Sequence, residues 1–266
     1  FIAQLVDPKI DPLSPENAIV WSTGPLNGTP FPGASKTCMA FKSPLTGGWG
    51  ESYCGGTFST SIKLAGFDAI IVKGKSREPC FIRIDNGEVR IENASHLWGL
   101  DCYETQRELR KDLGDDYSII SIGPAGENLV RFASVDHDFG REFGRCGSGA
   151  VMGSKLLKAV AVRGDKDVVV HDPNALWALS EEIARTAQER LAKLAKYGTP
   201  PMILKTNAFG VLPTRYWEDG FFEFAEKLFE KLVERMAGTL ACFGCPLACR
   251  KLYLRIGGGY LDGPDY

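Results

Sequence analysis

The sequence predicts an α+β fold, with a strand-rich first half (1–165) followed by the start of a mainly α-helical domain (166–266). Three observations carry that reading. Short apolar runs bounded by glycine recur before residue 165. An Asn-Gly pair separates two alternating segments. From Asp172 onward the apolar residues recur every three or four positions.

Taken in order, TFSTSIKLAG (57–66) predicts a short helix, and FDAIIVKGK (67–75) a mostly apolar strand. CFIRIDNGEVRIENA (80–94) reads as a hairpin, in which Phe81, Ile82 and Ile84 lead into Asn86-Gly87 and Val89 and Ile91 return. DCYETQRELRKDLG (101–114) predicts a helix with Asp101 as N-cap and Gly114 just past its end. YSIISIG (117–123) and LKAVAVRG (157–164) are further strands, and a boundary falls near Gly164-Asp165-Lys166. Beyond it Asp172 caps a helix with Pro173 in its first turn. Leu176, Leu179, Ile183, Ala187, Leu191 and Leu194 form one apolar face that runs to Gly198. A second amphipathic helix is expected over FFEFAEKLFEKLVERMAG (221–238), leading straight into a run of cysteines.

Composition narrows the function. Lys plus Arg total 31 against 33 Asp plus Glu, a net charge of −2, which disfavours a nucleic-acid surface. No apolar run reaches the ~18 residues a membrane span needs, and the first twenty residues hold no signal-peptide core. The expected location is the cytoplasm. The chain begins without Met and closes on the glycine loop GGGYLDGPDY, so it is read as a fragment of a longer polypeptide.

Eight cysteines are present, too few at this length for a disulfide scaffold. Cys38, Cys54, Cys80, Cys102 and Cys146 are scattered and read as small buried hydrophobes in a reducing compartment. Cys242, Cys245 and Cys249 are different, because ACFGCPLACRKL (241–252) spaces them C-x2-C-x3-C. Thiolates at this density suit a cubane iron–sulfur cluster. A zinc site and unligated thiols are the alternatives. Neither His96, His137 nor His171 offers the second close pair that a structural zinc site would show.

Two glycine-dense stretches remain. GREFGRCGSGAVMGSK (140–155) fits neither the dinucleotide fingerprint nor the P-loop, yet glycines beside Arg141 and Arg145 suit backbone approach to an anion. SPLTGGWGESYCGGTFS (43–59) is the second. Plain packing or surface loops are the alternative for both.

With these motifs in hand, the chain resembles the tungsten-pterin aldehyde:ferredoxin oxidoreductase family from residue 11 to its last residue. The resemblance rests on IDPLSPEN, GPLNGT, KSPLTGGWG, IKLAGFDAIIVKGK, ENASHLWG, SIGPAGENLVRFAS, GAVMGSKLLKAVAVRG, ACFGCPLAC and GGGYLDGPDY, in that order. It implies a pterin-binding N-terminal domain that lacks its first strands and a partial helical domain carrying the cysteine loop. It also implies tungsten (or molybdenum) on two molybdopterins, with magnesium bridging their phosphates. A [4Fe–4S] cluster would be held by Cys242, Cys245, Cys249 and a fourth cysteine further downstream.

The pterin contacts carry over position by position. Lys36 stands where the family usually has Arg, which keeps the charge and loses the bidentate fork. Tyr53-Cys54-Gly55 replaces a common Asn-Ser-Gly, so the glycine stays and an amide near the magnesium is lost. Arg141, Glu142, Gly144 and Arg145 fall on an R-A-x-G-R stretch, with Glu142 in place of Ala. The acid or base near tungsten would follow DGPDY, so no catalytic residue is named.

The implied activity is oxidation of an aldehyde to a carboxylic acid, with electrons passing through the cluster to ferredoxin or to an iron–sulfur or flavin subunit of a homo- or hetero-oligomer. One alternative is the tungsten subunit that reduces aromatic acyl-CoA thioesters. Another, of a different class, is a non-catalytic electron-transfer or scaffold module. Expressed alone, the 266 residues are expected to be poorly soluble, cluster-deficient and inactive, since the 221–238 helix presents a broad apolar surface.

Overall fold

The computed structural model describes residues 2–254, and GGGYLDGPDY lies outside them. The first half holds α1 (Ile2–Leu5), β1 (Ala18–Ser22), β2 (Thr37–Lys42), β3 (Trp49–Cys54), α2 (Phe58–Leu64) and β4 (Ala69–Lys73). It continues with β5 (Cys80–Asp85), β6 (Glu88–Asn93), α3 (Cys102–Leu113), β7 (Ser118–Ser121) and α4 (Pro124–Glu127). It closes with β8 (Val135–His137), β9 (Arg141–Phe143), α5 (Ser148–Ser154) and β10 (Leu157–Arg163). The second half holds α6 (Pro173–Arg190), α7 (Ala192–Tyr197), α8 (Met202–Ala208), α9 (Ala225–Glu234), β11 (Met236–Leu240) and β12 (Arg250–Tyr253). Strand-rich sheets thus precede a helix-dominated region.

Two sheets form the first half. One is antiparallel in the order β3-β2-β1-β4, and the other runs β6-β5-β10-β7-β8-β9 with a single parallel pair, β5 with β10. Strand alternation explains how they stack. In β10, Val160 and Val162 enter the core shared with Ile19, Trp21 and Phe41 of the other sheet. Ala159 and Ala161 point the opposite way, onto Leu109 of α3 and Tyr117. A third cluster packs Ile2 and Val6 against the outer face of β1.

The hairpin has Asn86 at φ +51° and Gly87 at +96°, as the Asn-Gly pair requires. Asp101 caps α3 and forms a capping box with Glu104, while Gly114 is the C-cap residue itself.

The helical half differs from expectation in three ways. The helix expected from Asp172 to Gly198 breaks at Leu191 into α6 and α7. The one expected over 221–238 is only α9, so Phe221, Phe222 and Phe224 precede it and Met236–Leu240 is a strand. Phe221, Phe224 and Leu228 are exposed. A hairpin of β11 and β12, rather than a helix, therefore carries the cysteine loop.

Candidate functional site

The loop 241–249 closes the hairpin at its Leu240–Arg250 pair. Gly244 and Ala248 adopt left-handed φ of +65° and +41°, and the Cys245 amide donates to the Cys242 carbonyl at 3.1 Å, so the loop doubles back on itself. All three cysteines are half-buried and free. Its far end is braced by α7: Lys251 Nζ donates to the carbonyls of Ala195 (2.6 Å) and Ala248 (3.0 Å). Gly198, at φ +68°, lets the end of α7 pass directly against the Cys249 carbonyl. Among the described residues no group of three or more His, Cys, Asp or Glu side chains is gathered as if around a metal ion.

The near end meets the glycine turn after β3. A Cβ placed on Gly55 would lie 2.8 Å from Cys242 Sγ and 3.4 Å from Arg141 Nη1, so the missing side chain is what lets both groups approach the turn. The Phe243 amide donates to the Gly56 carbonyl at 3.2 Å. Gly56 itself, at φ +107°, backs onto His137 and Asp138. His137 is fully buried: Nδ1 donates to the Ile119 carbonyl (2.9 Å), and Nε2 lies 2.9 Å from Asp138 Oδ2 and 3.1 and 3.2 Å from the amide nitrogens of Thr57 and Phe58. The two sequence-predicted segments, glycine turn and cysteine loop, are one junction.

Electrostatics around it follow from burial. Cys54 is buried and its thiol is pushed far up by desolvation, with Asp138 adding to this and Arg141 opposing it, so Cys54 stays a neutral thiol. Burial alone would raise Asp138, but His137, Thr57 Oγ1 and Arg110 together hold its carboxyl down to about 2. Desolvation raises Asp136 to about 6. Glu142, its cross-strand neighbour, adds to that, while the 2.6 Å hydrogen bond from Gln106 resists it.

Of the sequence-predicted residues, Cys54, Gly55 and Arg141 converge on Cys242. The Arg145 amide donates to Ser52 Oγ at 3.1 Å, which places Arg145 beside β3. Tyr53 is exposed on β3, Glu142 is exposed on β9, and Lys36 is exposed just before β2. Gly144 is exposed, with only Glu142 within 4 Å of an added Cβ. Cys54 and Cys80 are buried as expected, while Cys38, Cys102 and Cys146 are partly accessible. Sequence reasoning missed Gly56, His137, Asp138 and Arg250. The Asp-His-Asp run ending in Phe139-Gly140, just before Arg141, was the available signal.

The glycine turn, with no Cβ to fill its cradle, and the guanidinium beside it suit close approach of an anionic group next to Cys242. The chain is similar to known proteins along its whole length. Residues 1–164 match the aldehyde ferredoxin oxidoreductase N-terminal domain, and residues 177–266 match domains 2 & 3. The tungsten-containing aldehyde ferredoxin oxidoreductase of Pyrococcus horikoshii is 42% identical over 275 residues, covering 100% of this chain and 45% of that protein. The aliphatic sulfonate oxidoreductase WOR-like subunit of Pyrococcus furiosus is 32% identical, over 97% of this chain and 44% of its own. Among solved structures, the active site complex BamBC of benzoyl coenzyme A reductase with 1,5-dienoyl-CoA superposes with a TM-score of 0.84 at 30% identity. That match covers 99% of this chain and 43% of the other. The chain belongs to the aldehyde ferredoxin oxidoreductase family, and it spans less than half the length of these relatives.

Proposed function

We propose that this chain is the pterin- and cluster-binding part of a tungsten (or molybdenum) oxidoreductase that converts an aldehyde to a carboxylic acid. The observation that carries the reading is the Gly55 turn, pressed at once against Cys242 and Arg141. Residues 1–165 would form the pterin-binding domain and 166–266 the helical domain with the cluster loop. Lys36, Tyr53, Cys54, Gly55, Arg141, Glu142, Gly144 and Arg145 would line the pterin, and Cys242, Cys245 and Cys249 would ligate a [4Fe–4S] cluster. When bound, the metal–pterin group supplies the two-electron oxidation of aldehyde and water to acid. The chain's own part is positional: glycine backbone admits the phosphates, and Arg141 and Arg145 neutralise them through charge-assisted hydrogen bonds. The partner would be a ferredoxin or an iron–sulfur or flavin subunit, in the cytoplasm. Among the described residues no helix is long and apolar enough to cross a membrane.

A second reading, reduction of an aromatic acyl-CoA thioester, is favoured by the close superposition on the benzoyl coenzyme A reductase complex. Metal analysis of full-length protein purified without oxygen, followed by assays with aldehydes and with aromatic acyl-CoA, tests both. Tungsten or molybdenum with iron near four per chain, and viologen reduction by aldehyde, is the expected result. Stoichiometric zinc without iron would sink both readings. Turnover of acyl-CoA alone would select the second.

A further inference from the structure

Arg250 follows the last cysteine of the loop, and the proposed function assigns it no task. Its guanidinium donates to two backbone carbonyls, those of Asp138 (2.7 Å) and Phe139. These carbonyls belong to a left-handed turn, with φ +49° at Asp138, +53° at Phe139 and +112° at Gly140. Non-glycine residues are held in that region only where their surroundings over-determine them. The turn runs directly into Arg141, and Arg141 Nη2 donates back to the Leu240 carbonyl at 3.4 Å. Leu240 and Arg250 are the paired residues at the mouth of the hairpin. Both stems of the cysteine loop are therefore tied, each through one arginine, to the 138–141 segment. Arg250 Nε, meanwhile, is a buried donor without a hydrogen-bond partner among the described residues.

We propose that Arg250 is a positioning residue that locks the cysteine loop onto the Arg141 turn and, through its charge, favours the reduced form of the group the loop holds. The inference rests on the cluster reading above. A planar fork can span two adjacent carbonyls, whereas a lysine ammonium is a single point charge on a flexible stem. Net charge and hydrogen-bond donors near the sulfur ligands set a cluster's potential. A fixed cation one residue from Cys249 stabilises the added electron and raises the midpoint.

The test uses full-length protein carrying its cofactors, with Arg250→Gln and Arg250→Lys compared with wild type. Iron and pterin content, the cluster midpoint from a spectroscopic redox titration, and the single-turnover rate of cluster reduction by substrate are read together. Arg250→Gln is expected to shift the midpoint to a more negative value and slow cluster reduction about 10- to 100-fold. Arg250→Lys is expected to keep the midpoint and lose the rate. Loaded variants with wild-type midpoint and rate would overturn the proposal. So would an Arg250→Gln that merely fails to load while Arg250→Lys is wild-type in both.

Wild-type protein lacking pterin and iron would defeat the functional reading instead. The docking role then stands or falls on hydrogen exchange at the Phe243 amide. Loss of a charge-assisted bond is expected to make that amide exchange about tenfold faster in Arg250→Gln, and unchanged exchange would overturn the lock.

Discussion

At Gly55 a missing carbon decides what the junction can hold. Gly55→Ala would put a methyl 2.8 Å from Cys242 Sγ, so the thiol or the turn must shift to admit it. The expected cost is about 1–3 kcal/mol of stability together with a fall in bound iron, read from a thermal melt and an iron assay. Unchanged iron would show that the Cys242 thiol moves aside without disturbing the loop. Two neighbouring carboxyls give a pH signature with opposite signs. Asp136 rises from 3.8 to about 6 on folding, so its contribution is fully present below about pH 3.8 and lost as pH rises through 6. Asp138 falls to about 2, so its contribution is present above about 3.8 and lost as pH falls through 2. Of the two, Asp136 dominates between pH 4 and 6, where its contribution should decline with rising pH by on the order of 2 kcal/mol. Asp136→Asn, which keeps an acceptor for Gln106, is expected to flatten that slope in denaturant titrations. A slope that survives the substitution would assign it to another group.

Among the elements, those set by local chemistry were legible and those set by distant partners were not. Asp101 with Glu104 and the Asn86-Gly87 turn are closed by bonds within four residues, so sequence alone locates them. β11 is not local. Apolar spacing continues through Met236, but the segment leaves the helix because it pairs with β12 and because the Leu254 amide reaches the Arg235 carbonyl at 2.7 Å. α5 was hidden for another reason. Gly149 and Gly153 look like a loop, yet they let the helix lie against the carbonyls of Ser134 and Gly126 where any side chain would collide. The site followed the same rule: Cys242 to Cys249 announced themselves by spacing, whereas Arg250 acts across the fold on Asp138. Gly198 tests the α7 brace. With φ +68° and ψ −144° it is open only to glycine, and Gly198→Ala should cost about 2 kcal/mol and loosen the cysteine loop. Faster proteolysis near 241–249 would be the readout, and wild-type resistance would argue against the brace.

Across the whole molecule, burial is uneven. The three apolar clusters draw only on residues up to Val162, and beyond Arg163 Ala225 is the only buried hydrophobic side chain among the described residues. The sheets therefore carry their own core, while α6–α9 and the hairpin depend on caps, the Arg250 and Lys251 bonds, and the contacts of the cysteine loop. Local stability follows buried apolar contact, so the two regions should open at different free energies. A group bound at Cys242, Cys245 and Cys249 would add its binding energy to the weaker region alone. Chelating iron from the full-length protein, or replacing Cys245 by Ala, is thus expected to expose residues 166–254 to limited proteolysis while β1, β7 and β10 keep their hydrogen-exchange protection. Cleavage should begin beyond Gly164 and leave a resistant fragment containing both sheets. Simultaneous loss of protection in the two regions would show one cooperative unit, with the cluster supporting the sheets as well. Unchanged resistance after complete iron removal would instead show that the hairpin is held by protein contacts alone.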